Sequence, residues 1–208
     1  MSFPWALDKG KFLKPEEVIR LKEFCKKEMK IKKKLKIAIK NWFLIELFLN
    51  TGLRVQEATD LNCGDIYIQD NQSSILIRHG KGDKKRLIRI NNKFRQDCEF
   101  YLRWKEKHNE NTDNNAPLFA NSKGEHFSKR NLQYMFKNIT KKAGLPSHYS
   151  IHSLRHTYGS FLLRSSIGNL RLVQKQLGHS KVTTTEVYAD VMDEELDKAI
   201  GNLYEDSY

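Results

Sequence analysis

Residues 37–61 read IAIKNWFLIELFLNTGLRVQEATDL, and the first decision about the fold is made there. From Ile37 to Leu49 apolar side chains fall on nearly every side of a helical wheel, which predicts a helix buried on all faces. Thr51-Gly52 ends it, with glycine as the left-handed cap. Arg54–Leu61 reads as a short second helix. Upstream, Pro15 followed by Glu16 and Glu17 is a helix start: a fixed φ at the first position, then acids facing the positive end of the dipole. Val18, Leu21 and Cys25 give that helix one apolar stripe. The basic run Lys30–Lys40, with Ile31, Leu35 and Ile37 interleaved, reads as a loop or as a helix extension.

The period changes at Ile66. Ile66-Tyr67-Ile68, Ser74–Arg78 and Lys85–Ile90 are short, β-branched and partly alternating, with Gly80-Lys81-Gly82-Asp83 as a turn between the last two. They predict three antiparallel strands. Helices resume near 93–107, 128–142 (closed by Gly144), 152–165, 170–177 (closed by Gly178) and 180–189, and an acidic helix follows near 193–203. Asn109–Asn115 is the most polar stretch and predicts a surface loop. The expected class is α+β, mostly α-helical with one small three-stranded antiparallel sheet inserted.

Composition bounds the partners. The chain has 208 residues, 39% hydrophobic and 11% aromatic, enough to bury a core and to exclude wholesale disorder. Three cysteines at 25, 63 and 98 form no CxxC pair, which argues against a disulfide scaffold and for a reducing cytoplasm. No run of 18 apolar residues is present, so membrane spanning is disfavoured. The net charge is +12, unevenly spread: residues 1–40 carry +8, residues 41–190 carry +9 and residues 191–208 carry −5. A basic body of this kind suits a polyanion, nucleic acid above all; the bland alternative is a solvated lysine-rich surface.

Four elements could carry chemistry. They are TGLRVQE (51–57), with Arg54 after the helix-ending glycine and Glu57 three positions on; Lys81 at the hairpin tip; His152-Ser153-Leu154-Arg155-His156; and Leu177-Gly178-His179, followed by Tyr188. Arginine offers a planar fork that suits two phosphate oxygens. His152 and Arg155 lie at i and i+3 and can share a helix face. Histidine moves protons near neutral pH, and tyrosine is an oxygen nucleophile that needs help at its ordinary pKa. Together these groups suit attack on a phosphodiester. Each also has a plainer reading. Arg54 with Glu57 alone reads as a surface ion pair, Lys81 as one of many solvated lysines, and Tyr188 as a half-buried helix tyrosine. His152 and His156 at i and i+4 could bind a metal, but no third ligand stands at a familiar spacing, so no metal is expected. Tyr158 competes as nucleophile, but its setting reads as a core-facing stripe.

Taken together and in this order, the strings TGLRVQE (51–57), HGKGDKKRLIRI (79–90), HSLRHTYGSFLL (152–163) and LGHSKVTTTEVY (177–188) resemble the tyrosine recombinase (phage integrase) family, and most of all its Xer and integrase branch. The resemblance covers about residues 11–203. It implies the catalytic-domain fold of that family, with Arg54, Lys81, His152, Arg155, His179 and the nucleophile Tyr188 as catalytic residues, Glu57 supporting the site and His156 structural. It further implies a site-specific recombinase or integrase that cuts and rejoins double-stranded DNA through a 3′-phosphotyrosyl intermediate, with no cofactor, and that self-associates on DNA as a dimer or tetramer. The implied layout is an N-terminal remnant or linker over 1–10, the catalytic domain over 11–190, and an acidic C-terminal helix or tail over 191–208 that could dock on a neighbouring subunit. Family members usually carry a helical DNA-binding domain ahead of the catalytic one, so the chain reads as an excised catalytic domain or an unusually short recombinase. The rival readings are a type IB topoisomerase, a non-catalytic DNA-binding regulator on the same scaffold, and a zinc hydrolase.

Overall fold

The computed structural model describes residues 11–31, 35–68, 73–78 and 85–178. Helix α1 spans Pro15–Glu28, α2 Leu35–Thr51 and α3 Val55–Thr59; strands β1 (Ile66–Tyr67), β2 (Ser74–Ile77) and β3 (Arg86–Arg89) follow; then come α4 (Asn92–Lys107), α5 (Lys129–Lys142), α6 (Ile151–Ser165) and α7 (Leu170–Leu177). The turn at 80–83, the helices expected near 180–189 and 193–203, and the tail 191–208 lie outside the described residues.

Helix α2 is the axis of the domain, as its apolar circumference requires. It packs against α1, α4, α5 and α6. Phe43, fully buried, stacks on Tyr101 of α4 with ring centroids 3.9 Å apart and planes 8° from parallel, and it touches Phe94 and Phe119 at 6.2 and 5.8 Å. One polar residue interrupts this face. Glu46 is 3% exposed and is paired with Lys22 of α1 at 2.8 Å, so the carboxylate ties α1 to α2 instead of standing unpaired.

The sheet is antiparallel in the order β1-β2-β3, with Ile66 opposite Ile75 and Ile75 opposite Ile88. Those three and Ile77 turn inward, while Leu87 stays exposed on the outer face. The fold class is as expected, mostly helical with one small three-stranded antiparallel sheet.

One local expectation changes. Helix α3 covers only Val55–Thr59, because Arg54 is an extended N-cap residue at φ −74° and ψ 151°. The polar stretch 109–115 is a surface loop, as expected, and it is anchored to the domain. Glu110 forms an ion pair with Lys40 at 2.9 Å, and the Gly64 N–H donates to the Asn114 carbonyl at 3.1 Å. Beneath the segment that follows, the fully buried Lys105 donates to the carbonyls of Pro117 and Leu118 at 2.7 and 3.2 Å. A run of polar side chains predicts the exposure but says nothing about such main-chain anchoring. Among the described residues no helix is long and apolar enough to cross a membrane.

Candidate active site

Helices α2 and α7 both end on a left-handed glycine: Gly52 at φ +59° and Gly178 at φ +65°. Such an ending leaves carbonyls at the helix terminus without helical partners. Two of the arginines singled out in the sequence satisfy them. Arg155, on α6 and 6% exposed, donates through one terminal nitrogen to the Gly52 carbonyl and through the other to the Leu177 carbonyl at 2.9 Å. Arg54 donates to the Gly178 carbonyl at 3.3 Å. A cation at a helix C-terminus is electrostatically favoured, and carbonyl oxygens orient the guanidinium fork without cancelling its charge.

Both glycines also have no room for a side chain. A Cβ at Gly52 would lie 2.4 Å from a Tyr158 ring carbon, and one at Gly178 would lie 2.6 Å from Nε of Arg86. Tyr158 is thus packed against the end of α2, and burial pushes its phenol up to about 12. That packing agrees with its reading as a core-facing residue.

Glu57 corrects the surface-pair reading of Arg54. Its side chain is 3% exposed and shared by two arginines. Oε1 accepts from Arg54 at 2.9 Å and from Arg86 at 2.8 Å; Oε2 accepts from the Arg54 main-chain N–H at 2.8 Å and from Arg86 at 2.9 Å. Burial alone would raise this carboxyl, but the hydrogen bonds and charge of Arg86, then of Arg54, outweigh it and hold it below its ordinary value. Arg86 was not singled out in the sequence. It stands in a basic string where composition cannot distinguish a paired arginine from a solvated one; only the alternation of β3 hinted that one of these charges turns toward the domain.

His152 lies in the first turn of α6, where the Ser150 N–H donates to the Ser153 hydroxyl at 3.1 Å. Its ring is open to solvent on one side. Packing on the other side, then the charges of Arg155 and Arg54, lower its pKa below 6.5. His156, one turn further and half-buried, is driven down to about 4 by burial, then by Arg155, His152 and Lys11. The structure therefore gathers Arg54, Glu57, His152 and Arg155 at one place, where α2, α3, α6 and α7 meet. Lys81, His179 and Tyr188 lie outside the described residues, although His179 directly follows the Gly178 carbonyl held by Arg54. Among the described residues no group of three His, Cys, Asp or Glu side chains is gathered that could hold a metal ion.

A cluster of two arginines and a neutral imidazole can bind a tetrahedral anion and accept a proton beside it. Comparison with known proteins gives this chemistry a context. The model of the phage integrase family matches residues 11–195. Tyrosine recombinase XerC of Caldanaerobacter subterraneus subsp. tengcongensis is 35% identical over 163 residues, covering 78% of this chain and 44% of that protein. Tyrosine recombinase XerD of Oceanobacillus iheyensis is 31% identical over 180 residues, covering 86% of this chain and 57% of that protein. Among solved structures, the XerH site-specific recombinase bound to palindromic difH substrate, in a post-cleavage complex, aligns with a TM-score of 0.76 at 28% identity, covering 94% of this chain and 53% of that one. The chain spans about half the length of the curated relatives it matches.

Proposed function

This chain belongs to the phage integrase family and has the fold of its tyrosine recombinase catalytic domains; on that premise we propose that it is the catalytic domain of a site-specific DNA recombinase, acting on double-stranded DNA. The observation that carries the reading is the convergence of Arg54 and Arg155 on the C-terminal carbonyls of α7, one residue before His179.

In the proposed reaction the Tyr188 phenol attacks a scissile phosphate, its proton passes to His152, and the DNA 5′-oxygen departs with a proton from Lys81. A 3′-phosphotyrosyl bond replaces the phosphodiester, and a strand hydroxyl reverses the exchange. Arg54 and Arg155 take the non-bridging oxygens, His179 adds a hydrogen bond, and Glu57 orients Arg54. The lowered pKa of His152 supports its part, since a neutral ring at physiological pH can accept a proton. Rate comes from positioned positive charge around the transition state.

The catalytic domain is taken as residues 11–190, after a linker over 1–10. The acidic segment 191–208 is read as docking on another copy of the chain on DNA. Its net charge of −5 and its Leu196, Ile200 and Leu203 spacing suit a groove of about 660 Å³ between β3 and α7, lined by Leu87 and Leu172 together with Lys85, Arg89 and Lys175. Deleting 191–208 should then reduce the mass of the DNA-bound assembly, read by light scattering. The three cysteines are free and buried, which suits a reducing cytoplasm.

The main test uses a pool of nicked duplexes of randomised sequence. The chain should form a covalent adduct that survives denaturant, and sequencing of the attached strands should reveal the preferred site. Tyr188→Phe should bind the same duplexes and form no adduct. An unchanged adduct yield from Tyr188→Phe refutes the assignment of the nucleophile.

A further inference from the structure

We infer that Arg86 is a positioning residue: it neutralises Glu57 from behind and so leaves the Arg54 guanidinium charged and aimed at the phosphate. The inference rests on the recombinase reading of the site and adds a residue to it.

The geometry of the carboxylate is the starting point. Each oxygen of Glu57 takes one N–H from Arg54 and one from Arg86, all between 2.8 and 2.9 Å. An arginine paired alone with a buried carboxylate forms a neutral unit, because the two formal charges cancel at contact distance. Such a unit offers little to an incoming phosphate. With two arginines on one carboxylate, a full positive charge is left over. The two are not equivalent: the Arg54 side chain is 28% exposed and that of Arg86 is 14% exposed. The surplus charge therefore faces outward through Arg54, while Arg86 completes the carboxylate from the protein side.

Arg86 also touches the second partner of Arg54. Its Nε, Cδ and Cζ lie so close to Gly178 that a Cβ there would approach them to 2.6–2.8 Å. Gly178 supplies the carbonyl that receives Arg54. One side chain on β3 thus braces both groups that orient Arg54, and it stands five residues after Lys81 in the chain.

The test compares the 208-residue chain with three variants: Arg86→Gln, Arg86→Lys and the double variant Glu57→Gln with Arg86→Gln. Single-turnover adduct formation is measured on the nicked duplex with which the unaltered chain reacts fastest. Arg86→Gln should slow adduct formation about 100-fold while duplex affinity changes less than about threefold. Arg86→Lys keeps the charge without the fork and should lose about 10-fold. The double variant should recover about 10-fold over Arg86→Gln, since a neutral amide at 57 no longer neutralises Arg54. A double variant equal to or slower than Arg86→Gln, or a loss that follows the melting temperature across the set, would overturn the inference. A second readout needs no DNA. In Arg86→Gln the Glu57 carboxyl, followed by carbon NMR, should titrate about 1 pH unit or more higher; an unchanged titration also overturns the inference. If Arg86→Gln melts below the assay temperature, Arg86→Lys supplies the adduct readout, and the Glu57 titration of Arg86→Gln is recorded below its melting temperature. A chain that forms no adduct with any duplex, yet shows the Glu57 response, refutes the recombinase reading and supports the Arg86–Glu57 coupling.

Discussion

The aromatic packing around Phe43 and the arginine cluster around Gly178 belong to the same domain and share helix α2, but they are held by different forces. Around Phe43 the contacts are non-directional. Tyr101, Phe94 and Phe119 surround the ring, and the energy follows from area removed from water and from close packing. Around Gly178 the contacts are directional. Arg54, Arg155 and Arg86 each meet a specific oxygen or a specific bare Cα. The first region should tolerate exchanges that conserve volume. In the second, a substitution can leave the fold intact and still misplace the charge that the reaction requires.

If this contrast is right, mutations should separate stability from rate. Phe43→Ala should cost about 3–5 kcal/mol of unfolding free energy, read by urea denaturation. Its adduct rate per folded molecule should stay within about threefold of the unaltered chain; a collapse of that rate would erase the distinction. Arg155→Lys should do the reverse. A single ammonium cannot reach the Gly52 and Leu177 carbonyls with the same fork, so adduct formation should fall about 10²–10³-fold at nearly unchanged duplex affinity. Full activity there would show that the carbonyl contacts orient nothing of importance.

Gly178→Ala probes the seam itself. The positive φ and the Arg86 contact together predict a loss of about 1–2 kcal/mol in stability, along with about a tenfold slower adduct step. A neutral outcome in both would mean that Arg86 yields freely. The last effect appears only in acid. The unfolded chain binds a proton at His156 near 6.5 and the folded chain only near 4, so the unfolded state gains it first as pH falls. Stability should therefore drop below about pH 6.5, by up to about 1.4 kcal/mol per pH unit, until the folded ring also protonates near 4. His156→Gln should flatten that part of the curve; an unaltered slope would assign the acid sensitivity to other groups.

The described helices were readable because each carries its own local signal. The apolar circumference of α2, Pro15 at the start of α1 and Gly178 at the end of α7 are features of neighbouring residues, and periodicity reports them without any knowledge of the fold. The antiparallel strands were equally local. Arg54, Glu57, His152 and Arg155 were picked out through motif order, and the structure gathers them. The state of Glu57 was not readable. A carboxylate three positions from an arginine looks the same whether it is solvated or sealed, and burial depends on what the rest of the chain lays over it.

Arg86 makes the division clear. The amino-acid order supplied the elements, the class of the fold and a set of groups suited to a phosphodiester, because those follow from contacts within a few residues. It did not reveal that the Glu57 carboxylate would be shared by Arg54 and by Arg86, 29 positions further along, or that Arg155 would join the ends of α2 and α7 across 103 positions to Gly52. Such pairings depend on directional bonds whose partners are brought together by the packing of apolar faces elsewhere. Where the charge ends up is therefore decided by folding in three dimensions, as a consequence of how the apolar faces pack.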